Sequence, residues 1–367
     1  MITYLGIGLG CGDEGKGRVV SALASRFPGK TIVVRFNGGP QAGHTAVVDG
    51  HRHVFSSFGS GTLTGAPTVW SRFCTVNPTA FLNELDLLRQ YDPRIYIDPM
   101  CPVTTPYDVR ANRMSATNMK HGTVGVGFGT TLERHEKHYK LCFGDLYNET
   151  VTKLKLRNIQ EYYNDDMPFD DFLEDVKAMI GYNGVRLFHG VASLTNGMER
   201  IIFEGAQGIL LDQNYGFFPH VTRSNTTGQN ALELITEWRL QKPLIYYITR
   251  CYQTRHGNGP MTYEGMNPGI KYPEETNKDN TYTGKFRKGA LDLDLIAYAL
   301  KCGHVPFAHS TVVITCLDHL SDPRRDNIRI GNSALTITKE ELTERIDRSP
   351  FHIDEFLFSN ADSGDLK

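Results

Sequence analysis

The stretch "GLGCGDEGKG", Gly8 to Gly17, holds five glycines in ten residues, with Asp13, Glu14 and Lys16 among them. An apolar run, Ile2 to Ile7, precedes it, and an alanine-containing amphipathic segment follows. The glycines therefore form a strand-to-helix turn. Three machines use such a turn. Gly10, Gly12 and Gly15 fit the dinucleotide fingerprint G-x-G-x-x-G, which wants an acidic residue about 20 positions on, at the end of the second strand. Here that strand ends "VVRFNGG", with no carboxylate. Gly10 with Gly15-Lys16 fit the phosphate loop G-x-x-x-x-G-K, but Gly17 stands where Ser or Thr normally gives a hydroxyl to Mg²⁺. The cradle survives that loss, because backbone N–H groups at a helix N-terminus and the Lys16 charge still face a phosphate. A carboxylate must replace the metal contact, and Asp13 lies inside the loop. The third reading is a plain turn without a ligand, against which Asp, Glu and Lys crowded among glycines argue.

Outward from this loop, the chain of 367 residues has 40% hydrophobic and 22% charged residues, those of a globular protein with a substantial core. Its 39 Lys and Arg against 41 Asp and Glu give a net charge of −2, which predicts no nucleic-acid partner. No apolar run approaches the roughly 20 residues that span a bilayer, and the N-terminus lacks a signal-peptide pattern. The seven cysteines form no C-x-x-C pair and suit a reduced cytoplasm, so the expected location is cytoplasmic. Apolar strand candidates (3–8, 31–36, 94–97, 200–203, 243–249 and 312–315) alternate with helical periodicities (18–26, 77–91, 150–163, 169–180, 230–237, 291–302 and 339–345). That alternation predicts an α/β fold, a large doubly wound and mostly parallel sheet. Long loops over 37–65, 114–131 and 254–288 interrupt it and read as active-site loops on a single domain spanning 1–367.

"GCGDEGKGR" followed by "NGGPQAGHT" resembles the adenylosuccinate synthetases, including their short archaeal and viral relatives. "FEGAQGILLD" (Phe203 to Asp212), "FPHVTRSNTT" (Phe218 to Thr227), "TRHGNGP" (Thr254 to Pro260), "TGKFRKGALDLD" (Thr283 to Asp294) and "TCLD" (Thr315 to Asp318) recur in the family's order. The resemblance implies a homodimeric ligase. Such an enzyme transfers the γ-phosphoryl of a nucleoside triphosphate to O6 of a 6-oxopurine nucleotide, and the amine of L-aspartate then displaces phosphate at C6.

On that resemblance, Asp13 matches the base that removes the purine N1 proton and also a Mg²⁺ ligand, with the Gly43 carbonyl as a second. His44 matches the group that stabilises the transferring phosphoryl. Gly12, Glu14, Gly15, Lys16 and Gly17 would surround the donor phosphates, with Lys16 also counted as catalytic, and Asp318 would accept N1–H and N2–H of a donor guanine. Gln207 would read the purine edge, and Gln41, Thr123, His138, Thr222 and Lys285 stand at the other substrate-nucleotide positions. Thr283 and Arg287 match the aspartate site, Arg287 through the bidentate pair a free carboxylate calls for.

Departures cluster in the nucleotide's phosphate and ribose shell. Gln41 replaces the family's asparagine, and Val124 and Val126 replace a threonine and an arginine of the phosphate loop. His138 replaces the arginine that crosses the dimer, and Lys285 one that touches the ribose. "TCLD" carries Cys316 in place of a lysine that stacks on donor guanine, so ATP or dATP is expected to serve beside GTP. These departures favour dGMP as the acceptor, as in viral relatives that make a 2-aminoadenine precursor, although those often carry serine where this chain has Asp13. The alternative acceptor is IMP. A rival of another class is a nucleotide-hydrolysing switch, which has no use for the aspartate loop.

Overall fold

In the computed structural model the expected parallel sheet is nine strands wide. The structure describes residues 1–115, 122–194, 196–271, 284–306, 308–322, 324, 326–331, 335–348 and 351–359. In chain order the strands are β1 (Ile2–Gly8), β2 (Thr31–Arg35), β3 (His44–Val48), β4 (His51–Phe55), β5 (Thr68–Trp70), β6 (Ile95–Ile97), β7 (Val185–Leu187) and β8 (Arg200–Glu204). They continue with β9 (Leu244–Arg250), β10 (Gln253–Arg255), β11 (Arg287–Gly289), β12 (Ser310–Thr315), β13 (Ile328–Ile330), β14 (Leu335–Ile337) and β15 (Glu355–Phe358). The central sheet runs β15-β12-β9-β1-β8-β2-β5-β6-β7. Every pairing in it is parallel.

Near-continuous apolar runs suit strands covered on both faces, because alternate side chains point to opposite sides. Val33, Ile202, Ile248 and Val313 meet Val19, Val20 and Leu23 of α1 (Lys16–Ser25) on one face. Their neighbours Val34, Phe203, Tyr247 and Ile314 face the other way, into a core that includes Leu234 of the helix at Gln229–Glu237 and Leu300 of the helix at Leu293–Gly303. That second helix starts where Asp292 accepts the N–H of Asp294 at 2.9 Å and of Leu295 at 3.2 Å, a side-chain cap that satisfies free donors of the first turn.

The sequence expectation for 37–65 as an irregular loop is corrected. β3 and β4 form an antiparallel hairpin there, pairing His44 with Phe55. Its turn is Asp49-Gly50, both at positive φ (50° and 77°), the Asp-Gly chemistry that two-residue hairpins require. The helix at Phe128–Glu136 begins inside the expected loop at 114–131, and the unexpected helix at Pro106–Met114 starts from a Thr105 capping box with proline in the first turn. The loop at 254–288 is framed by β10 and β11, paired antiparallel with Thr254 opposite Lys288. Among the described residues no helix is long and apolar enough to cross a membrane.

Register sets the place of the site. Gly8 lies opposite Ile248, Glu204 opposite both Gly6 and Arg35, and Thr315 opposite Arg250. The carboxyl ends of β12, β9, β1, β8 and β2 thus share one edge, and the loops leaving them carry Asp318, His256, Asp13, Gln207 and His44. Open α/β sheets bind ligands outside that edge.

Candidate active site

The loop after β1 is built around its own glutamate. Glu14 Oε1 accepts the backbone N–H of Gly12 at 2.8 Å and of Gly10 at 3.0 Å, and Lys16 Nζ donates to Oε2. Glutamate and lysine are both buried. Glycines make this possible: a Cβ on Gly8 would land 2.5 Å from Glu14 Oε2, and one on Gly208 would land 2.2 Å from Oε1. Gly15, at φ 84°, turns the chain into α1 with no side-chain cap. Thr315 Oγ1 donates to the Glu14 carbonyl at 2.6 Å and ties the loop to the end of β12.

Gly17 has a packing reason as well. A Cβ there would lie 2.7 Å from the Thr45 carbonyl oxygen and 3.0 Å from His44 Cβ, so the hydroxyl residue of an ordinary phosphate loop would strike the hairpin that carries His44. His44 Nδ1 lies 2.7 Å from Glu204 Oε1, and Glu204 also accepts from the Ser60 backbone N–H at 3.0 Å and from its hydroxyl. Burial first, and the Arg35 cation next, push the His44 pKa down to about 4 against the pull of Glu204. Burial also acts to raise Glu204, but His44, Arg35 and the Ser60 hydroxyl outweigh it and hold the carboxyl at about 2. His44 is therefore neutral with its Nδ1–H donating to the Glu204 carboxylate, and Nε2 is buried without a hydrogen-bond partner.

Asp13 sits at φ 60°, a left-handed conformation that costs a non-glycine residue. Arg250 Nε donates to its carbonyl. Its carboxylate Oδ2 lies 3.3 Å from His256 Nε2, with 22% of the side chain exposed, enough for a ligand to reach. Burial raises its pKa, opposed by His256 and Arg250, which moves a carboxylate toward the range of a general base.

Gln207 (φ 59°) backs onto this loop, its carbonyl oxygen 2.7 Å from where a Gly8 Cβ would be. Asn37, fully buried, fixes that segment: it accepts from Ala206 N at 2.7 Å and donates to Ala206 O at 3.1 Å and Asn225 O at 3.0 Å. Gln207 Oε1, both amide atoms of Gln41 and Asp318 Oδ1 are buried without partners. Thr222 is held by a backbone bond to Leu211 O at 2.8 Å. Its loop is pinned by buried Asp212, which accepts from Thr226 and Thr227.

The rim differs. Thr123 Oγ1 donates to Asn112 Oδ1 at 3.1 Å; His138, at φ 70°, and Lys285 are exposed. Arg287 Nη1 pairs with Glu264 at 2.8 Å, and Nη2 donates to the carbonyls of Gly257 and Gly259, both at 2.9 Å. Arg287 thereby holds the loop that presents His256. Thr283 lies outside the described residues. Among the described residues no group of three or more His, Cys, Asp or Glu gathers to cage a metal; Gly43 is exposed.

Sequence reasoning missed Glu204, Asn37, Arg250, His256 and Phe286, whose ring lies 4.6 Å from that of His256. "TRHGNGP" contains His256 and "KFRK" contains Phe286, and their side-chain chemistry was the available signal.

A family model described as Adenylosuccinate synthetase matches residues 6–353. The chain is 30% identical to the adenylosuccinate synthetase of Chromohalobacter salexigens, over 96% of this chain and 85% of that protein. It is 32% identical to that of Marinomonas sp., over 86% and 76%. Two solved structures are similar in fold. One is fully ligated adenylosuccinate synthetase from Plasmodium falciparum (TM-score 0.71, 21% identity, 94% of this chain and 86% of that one). The other is cyanophage S-2L succinoaminodeoxyadenylate synthetase, bound to dGMP and to dATP as an energy donor (TM-score 0.66, 16% identity, 97% and 92%). With its sheet, its glycine loop and this match over nearly its whole length, the chain belongs to the adenylosuccinate synthetase family and is a ligase of that type.

Proposed function

We propose that the enzyme phosphorylates O6 of a 6-oxopurine nucleotide and joins L-aspartate at C6. One observation carries the reading. His44 Nε2, Gln207 Oε1, the Gln41 amide and Asp318 Oδ1 are buried polar atoms without partners, on segments that follow β2, β8 and β12 at the carboxyl edge of the sheet. Each such atom costs about 1–3 kcal/mol, a cost a fold retains where a ligand completes the hydrogen bonds.

Asp13 takes the N1 proton, which turns O6 into a nucleophile. The Gln207 amide reads the purine edge, offering both a donor and an acceptor. Lys16 exchanges Glu14 for the donor phosphates. An anionic phosphoryl beside His44 Nε2, with Glu204 on the other nitrogen, favours the imidazolium, which then donates to the transferring group. One carboxylate plus a carbonyl suits a Mg²⁺ that takes its other ligands from phosphates and water. Bound by Asp13 and Gly43, the ion would neutralise charge on the transferring phosphoryl. Arg287 and Thr283 receive the carboxylates of aspartate, and a second copy of the chain supplies the cross-dimer phosphate contact. The donor is GTP or an adenine nucleotide.

Sequence relatives favour IMP as the acceptor over dGMP, since those that cover most of the chain at 30–32% identity are adenylosuccinate synthetases. The dGMP reading retains one specific support: exposed Lys285 stands at the ribose position, where the family's planar five-donor arginine is missing. Aspartate-dependent phosphate release, measured across IMP, GMP, dIMP and dGMP, tests both. Release with IMP exceeding that with dGMP supports the first reading, and the reverse order supports the second. Release without aspartate or acceptor would point to a hydrolytic switch instead.

A further inference from the structure

Two loops meet at the Asp13 carboxylate. One is the glycine loop that carries it, and the other follows β10 and carries His256. His256 Nε2 lies 3.3 Å from Asp13 Oδ2, and both side chains are partly exposed. The imidazole is held from three directions. Its ring packs against that of Phe286, with centroids 4.6 Å apart. After it in the chain, Arg287 Nη2 donates to the carbonyls of Gly257 and Gly259. Before it, buried Arg255 donates to the carbonyls of Pro260 and His220, both at 3.0 Å. Arg255 Nη1 also donates to Cys11 Sγ at 3.5 Å. Cys11 stands two residues before Asp13, so one guanidinium fastens the histidine loop to the loop it faces.

The Asp13 backbone is held by Arg250, which donates through Nε to its carbonyl. Lys16 is committed to Glu14, and the side chain that meets the Asp13 carboxylate is His256. An ionised carboxylate only accepts, so the ring nitrogen facing Oδ2 presents its proton. Contacts of this length in an empty site tighten when the substrate arrives. A base misplaced by about 1 Å can cost roughly 10²-fold in rate. We infer that His256 is a positioning residue for the phosphoryl-transfer step: it holds Asp13 Oδ2, so that Oδ1 is presented to the purine N1 proton. The inference rests on the reading of Asp13 as the base.

A double-mutant cycle tests this on aspartate-dependent phosphate release with the better acceptor. His256→Leu keeps an apolar partner for Phe286 and removes the N–H. Its kcat should fall about tenfold, the worth of one hydrogen bond to a charged group, with KM for each substrate within about twofold. His256→Gln returns an N–H at similar reach and should recover to within about threefold of wild type. In Asp13→Asn there is no base to place, so adding His256→Leu should cost less than about twofold. A merely structural part would act otherwise: a loosened loop raises KM for aspartate and lowers kcat alike in both backgrounds. Should His256→Leu lower the melting temperature sharply, His256→Asn, whose amide is too short to reach Oδ2, takes its place in the cycle. An equal loss in both backgrounds, a Gln variant as slow as the Leu variant, or a loss confined to KM each overturns the inference. The wider reading fails separately. Near-normal turnover in Asp13→Asn removes Asp13 as the base, whereas a deep loss there with His256→Leu at the wild-type rate sinks the positioning role alone.

Discussion

The cradle and the rim of this site are held by opposite means. In the cradle, Glu14, Lys16, His44, Glu204 and Asn37 are buried, and each is tied to another strand end or to the glycine loop. On the rim, His138 and Lys285 are exposed, and the Thr123 hydroxyl is turned to its own neighbourhood. A group fixed by buried hydrogen bonds keeps its geometry before the ligand arrives, as phosphoryl transfer demands. A group on the rim is free to change with the nucleotide. On the proposed reading, the chemistry falls to the part of this molecule that is fixed in advance, and the hold on phosphate and ribose to the part that is adaptable. Substitutions should have effects that shrink from one to the other.

The largest effect is expected at Asp13. Asp13→Asn keeps the size and removes the proposed base, so kcat should fall at least ~10²-fold with an unchanged melting temperature. Near-normal turnover in the folded variant would take Asp13 out of the mechanism.

Glu204 comes next, because it acts through His44. Glu204→Gln leaves the imidazole without an anion on Nδ1, and kcat should fall roughly 10- to 100-fold with KM for each substrate within about twofold. The pair also ties stability to pH. His44 and His135 are both held down to about 4 from 6.5 by burial, so between those values the unfolded chain binds more protons than the folded one. Stability should fall as pH drops from 6.5 toward 4. Glu204, held at about 2 from 4.5, continues the loss from 4.5 downward. A tenfold difference in proton affinity between the folded and unfolded chain is worth about 1.4 kcal/mol. Denaturant midpoints across pH 7 to 4 should therefore show a decline that His44→Asn flattens. A flat wild-type profile would mean these groups titrate normally.

A smaller effect is expected at the aspartate loop. Arg287→Leu should raise KM for aspartate about tenfold, the order of one charged hydrogen-bonded contact, with nucleotide Kd unchanged by calorimetry. Because Arg287 also holds the Gly257 and Gly259 carbonyls, equal weakening of aspartate and nucleotide would show that its part is structural.

How far the sequence announces all this follows the same division. β1, β2, β8, β9 and β12 are legible because strands buried on both faces must be apolar throughout, and the three-residue β6 is legible in the β-branched and aromatic Ile95-Tyr96-Ile97. β5 follows a Gly-Ala-Pro turn, and β7 and β15 carry charged, partly exposed residues, so neighbouring strands define them more than their own pattern does. The β3–β4 hairpin was legible in Asp49-Gly50, a signal masked by the polar "HRHVF" that follows. Asp13 and Lys16 are visible because their loop is local. Glu204 is not, since it meets His44 across 160 residues, nor is Arg250, which reaches Asp13 across 237. The β8–β2 and β9–β1 pairings of the sheet bring those partners together, and no spacing within one segment encodes them.

The smallest effect, and the finest probe of the rim, is expected at Lys285. Its side chain is exposed in the loop that leads into β11, so replacing it should not touch folding or the phosphoryl step. A lysine offers a ribose one mobile ammonium, whereas an arginine offers a planar fork able to bond two oxygens at once. Lys285→Arg should therefore favour a ribose that has a 2′-hydroxyl to bond. The ratio of kcat/KM for IMP over dIMP should rise roughly three- to tenfold, the worth of one added hydrogen bond, with kcat for dIMP unaltered. A ratio that stays within about twofold would remove Lys285 from the ribose and leave the base, not the sugar, to decide between IMP and dGMP. A rise confined to kcat would place the residue in the cradle and erase the division between the two regions.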